Sequence, residues 1–290
     1  MVTVIKALYN CSFTIWNTLI DVAMTLFTTS PKVASGGAGY AVVRNLYNAI
    51  SDATAPIAAV FFLIALYKTV VSAPPEQQAQ RFLMDALRYV IILYMGMNAW
   101  KIMGYVMDFA DGITAKIGTS GNYHLSLNST LLTMIEESLK LPDFELSGEW
   151  FSKVFDCVGY SALFLISGVA MIFIMVACSL SIISSAFQRI IKPLLIMPFA
   201  GIAVALGAGG HEISRSLVQY VKTFFGFCIS GALMVISVKV GVTLCTTLIN
   251  IGLTGTDVNK CILMSVQACI TPIVISGLVK ACDHIADRMF

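Results

Sequence analysis

Residues 157 to 187 carry no charged side chain, and residues 223 to 252 carry only Lys239. Coiled as an α-helix at ~1.5 Å per residue, either run would extend about 45 Å. That exceeds the ~30 Å hydrocarbon core of a bilayer, so tilt or extension past the membrane must absorb the excess. A soluble domain usually carries about 25% charged residues. This chain of 290 residues carries 12%, with 58% hydrophobic residues. A large soluble fold can bury one such helix but not five or six, so the chain is read as an all-α polytopic membrane protein.

Punctuation divides the sequence into four regions. Residues 1–54 form an N-terminal amphipathic region. Its helix over residues 4–27 is expected at the membrane interface, with Trp16 anchored at headgroup level. Lys6 is the only early charge, and without a basic leader this segment does not read as a cleaved signal peptide. Pro31 and SGGAG (35–39) end the helix, and a more polar one follows. Residues 55–109 hold the first two spans, PIAAVFFLIALYKTVVS (56–72) and YVIILYMGMNAWKIMGYVMDF (89–109), separated by APPEQQAQR (73–81). Residues 110–156 form a polar, extracytoplasmic loop, in which Leu131, Leu132, Ile135 and Leu139 share one helical face. Residues 157–290 form a C-terminal bundle with spans at 157–187, 223–252 and 262–279, the last containing Pro272.

The stretch QRIIKPLLIMPFAGIAVALGAGGHEISR (188–215) decides the topology. Its 18 uncharged residues after Lys192 could cross as one helix of ~27 Å. However, Pro193 and Pro198 lie in its first third, and Gly201, Gly207, Gly209 and Gly210 follow. That composition suits a broken or re-entrant segment over 192–210. Charge favours the turn back. With five true spans, the N-terminus outside and the C-terminus cytoplasmic, nine basic residues lie inside and seven outside, as the positive-inside rule prefers. A crossing segment leaves six inside against ten outside. Inverting that model exports Lys68, Arg81, Arg88, Arg189 and Lys192, which crowd the span ends where the rule is strongest.

Little here carries chemistry. HEISR (211–215) begins like a zinc-protease motif but has Arg215 where the second histidine belongs. GAGG (207–210) lacks the Lys-Ser/Thr of a phosphate loop. The eight cysteines include no CxxC pair and read as small apolar filler. No nucleophile–base pair or nucleotide fingerprint is present, so a non-enzymatic protein without metal or cofactor is expected. The sharper features are two lysines inside spans. A mid-span lysine costs about 2.5–3.5 kcal/mol on insertion scales and usually faces water or a partner. Lys101 lies two turns before Asp108, close enough to the span end to snorkel. Lys239, with at least a dozen uncharged residues on each side, is the stronger candidate for a functional or subunit-packing role. Small residues such as Gly168, Gly231 and Gly241 permit close helix contact.

With its outer N-terminal region, central polar loop and the run KPLLIMPFAGIAVALGAGGHEISRSLVQYVKTFFGFCISGALMVIS (192–237), the chain resembles the TrbL-like family. These are polytopic inner-membrane subunits of type IV secretion and conjugation systems. There a long span is followed by a basic-Pro apolar segment, a short polar helix and another long span; residues 157–187, 192–210, 211–222 and 223–252 follow that order. The resemblance covers residues 55 to 290. It implies a channel subunit that oligomerises in the cytoplasmic membrane beside other secretion subunits. Such a subunit helps move DNA or protein, powered by separate cytoplasmic ATPases. On that reading Arg189, Lys192, Arg215 and Lys222 would form a cytoplasmic mouth. The alternatives from other classes are a small-molecule or ion transporter, which also uses broken helices and intramembrane charge, and a purely structural scaffold.

Overall fold

The computed structural model describes residues 2–72, 74–119, 121–126, 129–140, 148–209, 211–249 and 258–289. All regular structure among them is helical. The helices are α1 (Val2–Thr28), α2 (Ala38–Ser51), α3 (Thr54–Ser72), α4 (Pro75–Met97), α5 (Ala99–Gly118), α6 (Ser129–Ser138), α7 (Gly148–Ile196), α8 (Ala200–Leu206), α9 (His211–Ile249) and α10 (Val258–Met289), with 3-10 turns at Ala34–Gly37, Met197–Phe199 and Gly207–Gly209.

Length and composition give three stretches able to cross a membrane: Ser152–Gly209, Arg215–Cys245 and Ser265–Ala286. The number rises to five if each of two bent pairs is one span. The bends are 46° between α2 and α3 and 65° between α4 and α5, geometry that suits a broken span or a re-entrant loop. The expected continuous helix over 89–109 is therefore corrected. Asn98 interrupts it, with φ −102° and ψ 10°, outside the helical range, and its side-chain amide donates to the Tyr94 carbonyl at 3.0 Å. The Asn98 carbonyl then starts the next helix by accepting Ile102 N–H. At the break before α2, Gly36 and Gly37 have φ of 65° and 79°, backbone that side-chain-bearing residues rarely adopt.

The chain folds into two compact units, each drawn from non-consecutive segments, and α7, α9 and α10 each contribute to both. The first unit contains residues up to Leu26, Ser120–Ala186 and Met234–Cys282. Its core follows helical spacing: Ile5, Tyr9, Trp16 and Ile20 of α1, Phe164, Met171, Met175 and Ile182 of α7, Val235 and Val238 of α9, and Ile275 and Val279 of α10 are all essentially inaccessible. In lipid such contacts stabilise through close van der Waals packing rather than by removal from water. Close approach shows at Gly168, where a Cβ would meet Leu8 Cδ2 at 2.5 Å, and at Gly241, where it would meet Ile275 Cγ1 at 3.1 Å. The Tyr9 hydroxyl ties three helices together, lying 2.6 Å from Ser167 Oγ of α7 and 3.2 Å from Ser265 Oγ of α10.

The polar side of α1 holds the central loop and α6. Asn17 exchanges two 2.9 Å hydrogen bonds with the backbone of Leu125, and Lys6 pairs with Glu136. Of the face expected over α6, Ile135 and Leu139 are buried and Leu132 is half-buried, while the Leu131 side chain lies outside the described residues. Trp16 is a correction. It is inaccessible, packed on the buried face of α1 rather than standing at a headgroup surface.

The second unit contains Phe27–Thr119, Phe187–Leu233 and the chain after Cys282. Here α3 and α4 pack together, with Phe62 and Tyr89 stacked at 4.6 Å. Trp100 sits between Tyr40 and Tyr47, at 4.9 and 5.2 Å.

Candidate functional site

The helix break after α7 lies in the interior of the second unit. Pro193 lacks the N–H that would bond the Arg189 carbonyl, yet α7 continues past it to Ile196. The break comes at Pro198, inside the 3-10 turn, and α8 then packs against α2, α3, α4 and α5. Pro193, Pro198, Gly201, Gly207 and Gly209 are all buried; Gly210 lies outside the described residues. The glycines are there for space. A Cβ on Gly201 would overlap the Thr54 hydroxyl, and one on Gly207 would meet Leu217 Cδ2 at 2.9 Å. The Tyr220 hydroxyl donates to the Ile196 carbonyl at 2.9 Å, fastening the end of α7 to α9. Beside that bond is an open depression of about 510 Å³ lined by Ile196, Arg215, Ser216, Gln219, Tyr220 and Thr223.

The four basic residues grouped by sequence do not share one environment. Arg215 and Lys222 are exposed, and seven residues apart on α9 they occupy one helical face. Lys192 is half-buried, its ammonium 5.6 Å from the centre of the Phe227 ring, a cation–π distance. Arg189 is only 1% accessible and belongs to the interior, so its expected place at a solvent-facing mouth is corrected.

What Arg189 does instead is a buried clamp. Its guanidinium donates to the backbone carbonyls of Phe27 and Thr29, the latter at 3.1 Å, and to Asp111 Oδ1 at 3.0 Å. A cation at the last carbonyls of α1 also suits the negative end of that helix. Gly231 makes the room, since a Cβ there would overlap the guanidinium. Nearby on α5, Lys32 donates to Asp108 at 2.6 Å and to the Gly104 carbonyl at 2.8 Å. One ion pair, Lys32–Asp108, therefore joins the chain after α1 to α5, and the other, Arg189–Asp111, joins α7 to α5. Sequence reasoning missed the pairing because Asp111 reads as an ordinary loop acid past the end of a span. A signal was available: Arg189 continues the buried face marked by Met175, Ile182 and Ala186.

Lys239 belongs to the first unit. Its neighbour is the polar segment after α5: a Cβ on Gly121 would lie 3.9 Å from Lys239 Cδ. With Gly121, Asn122, Val240, Thr243 and Leu244 it lines a cavity of about 410 Å³. Lys101, by contrast, is exposed on α5. The side chains of His211 and Glu212 lie outside the described residues; among the described ones, no three His, Cys, Asp or Glu groups come together. No protein-family model, curated protein or solved structure matches this chain.

Proposed function

We propose that the chain is a non-enzymatic subunit of a conjugative type IV secretion channel in the cytoplasmic membrane. In this reading the bent pairs α2–α3 and α4–α5 each make one crossing, giving five. The segment 192–210 turns back, with the N-terminus outside and the C-terminus in the cytoplasm. The observation that carries the proposal is the 3-10 turn at Met197–Phe199, its Met197 and Pro198 buried, which leads into α8 packed on α2, α3, α4 and α5, with exposed Arg215 and Lys222 on the helix that follows. A fixed break beside a basic surface is a means of admitting a polyanionic or ATPase-delivered cargo. Large apolar residues exposed on long helices, among them Tyr67, Tyr105 and Phe173, offer surface to lipid and to further copies or neighbouring subunits.

Deleting the gene in a donor that carries its native element, then counting DNA transfer to recipients, tests this directly. Transfer should fall and a plasmid-borne copy should restore it. Undiminished transfer would remove the role, and solute uptake by the protein alone in liposomes would favour a transporter. Topology has its own check: an impermeant thiol reagent should not label Ser214→Cys in intact cells.

A further inference from the structure

Lys239 remains outside the channel reading, although its insertion in an apolar helix is costly. The structure gives it polar company. The loop residues Gly121 and Asn122 stand beside it, and the exposed Thr243 lies one turn further along α9. Next to this polar corner runs an apolar stripe on the same helix: Ile236, Val240 and Leu244, four residues apart and 39%, 47% and 52% exposed. The cavity thus joins a cation and a side-chain amide to an exposed hydrocarbon track.

We infer that this cavity binds the phosphate headgroup of an anionic phospholipid, with Lys239 and Asn122 at the phosphate and an acyl chain along Ile236, Val240 and Leu244. Charge complementarity and the apolar stripe select the ligand. Duplex DNA presents one charge per ~1.7 Å and is held by several cations at once, whereas among the described residues a single lysine lines this cavity. Free inorganic phosphate would gain nothing from the stripe. A lipid satisfies both halves of the site, since its phosphate is drawn to a lysine near the membrane surface while its acyl chain lies along the stripe. The assignment requires only that the protein lie in a membrane, so it stands apart from the secretion role.

The test is native mass spectrometry of the full chain in mild detergent, titrated with phosphatidylglycerol or phosphatidylcholine. Wild type should retain phosphatidylglycerol about fivefold more tightly than Lys239→Gln, the factor expected of one lysine at a membrane surface. Lys239→Arg should keep the preference, and phosphatidylcholine should show none. Should Lys239→Gln fold poorly, Asn122→Asp alters only an exposed loop position and should weaken phosphatidylglycerol retention similarly. Equal retention by wild type and these variants, or equal retention of both lipids, would overturn the site. Displacement of the lipid by millimolar inorganic phosphate would overturn the lipid assignment.

Discussion

Gly231 leaves open the space that the Arg189 guanidinium fills: a single methyl group at position 231 would overlap it. The glycine on α9 and the arginine on α7 are therefore one device, and the device depends on the missing side chain. Gly231→Ala should destabilise the protein by about 3 kcal/mol, combining overpacking with displacement of a buried charge. Thermal unfolding in detergent measures this. Gly277→Ala is the control, because a Cβ there meets nothing within 4 Å. It should be neutral or stabilising by up to ~1 kcal/mol, the helix-propensity difference.

Removing one member of a buried ion pair is costly because it strands the other. Arg189→Met should lose about 3–5 kcal/mol, and adding Asp111→Leu should recover much of it. The double-mutant cycle reads the coupling. Additive losses would show that the 3.0 Å contact between Arg189 and Asp111 carries no energy of its own.

Tyr9→Phe deletes the hydroxyl shared with Ser167 and Ser265 and leaves the ring in place. Hydrogen bonds between membrane helices average about 0.6 kcal/mol and reach ~1.7. A loss in that range, measured by unfolding in the same detergent, is expected.

One contact titrates on the acid side. His124 Nε2 lies 2.8 Å from Asp21 Oδ1, and that hydrogen bond holds the Asp21 carboxyl below its ordinary range. A lowered folded-state value means that the stabilisation is whole above the ordinary carboxylate range. It is lost as pH falls through the lowered value. Both side chains are about half exposed, so the effect stays within the ~0–1 kcal/mol of surface pairs. Asp21→Asn should remove this part of the acid-side slope in unfolding experiments and lower stability near neutrality by that same ~0–1 kcal/mol, so that wild type and variant converge at low pH.

The long helices were legible because uncharged runs of this length have few alternatives. In 192–210 the prolines and glycines marked the 3-10 turn at Met197–Phe199, but Ser152–Gly209 runs as one apolar stretch, so composition alone did not say whether the segment turns back. Asn98 was harder. One polar residue inside an apolar run reads as a tolerated interruption, and only the backbone at Asn98, with the 65° bend between α4 and α5, shows that it ends a helix. Trp16 shows a different limit. The buried face of α1 can be read from the spacing of Ile5, Tyr9, Trp16 and Ile20, but periodicity does not say whether protein or lipid covers it. The same holds for Arg189, whose basic character suggested solvent while its helical position matched the core. Lys239 was isolated along the chain, and only the fold brings Gly121 and Asn122 beside it.

The most direct measurement of the central claim is conjugal transfer from a deletion donor rescued with Lys192→Gln/Arg215→Gln/Lys222→Gln. Arg189 is left intact so that the buried clamp persists. Transfer at least about tenfold below the wild-type rescue is predicted, equivalent to ~1.4 kcal/mol, with the variant present in the membrane fraction at wild-type level. Wild-type transfer by that variant would contradict a basic mouth beside the helix break.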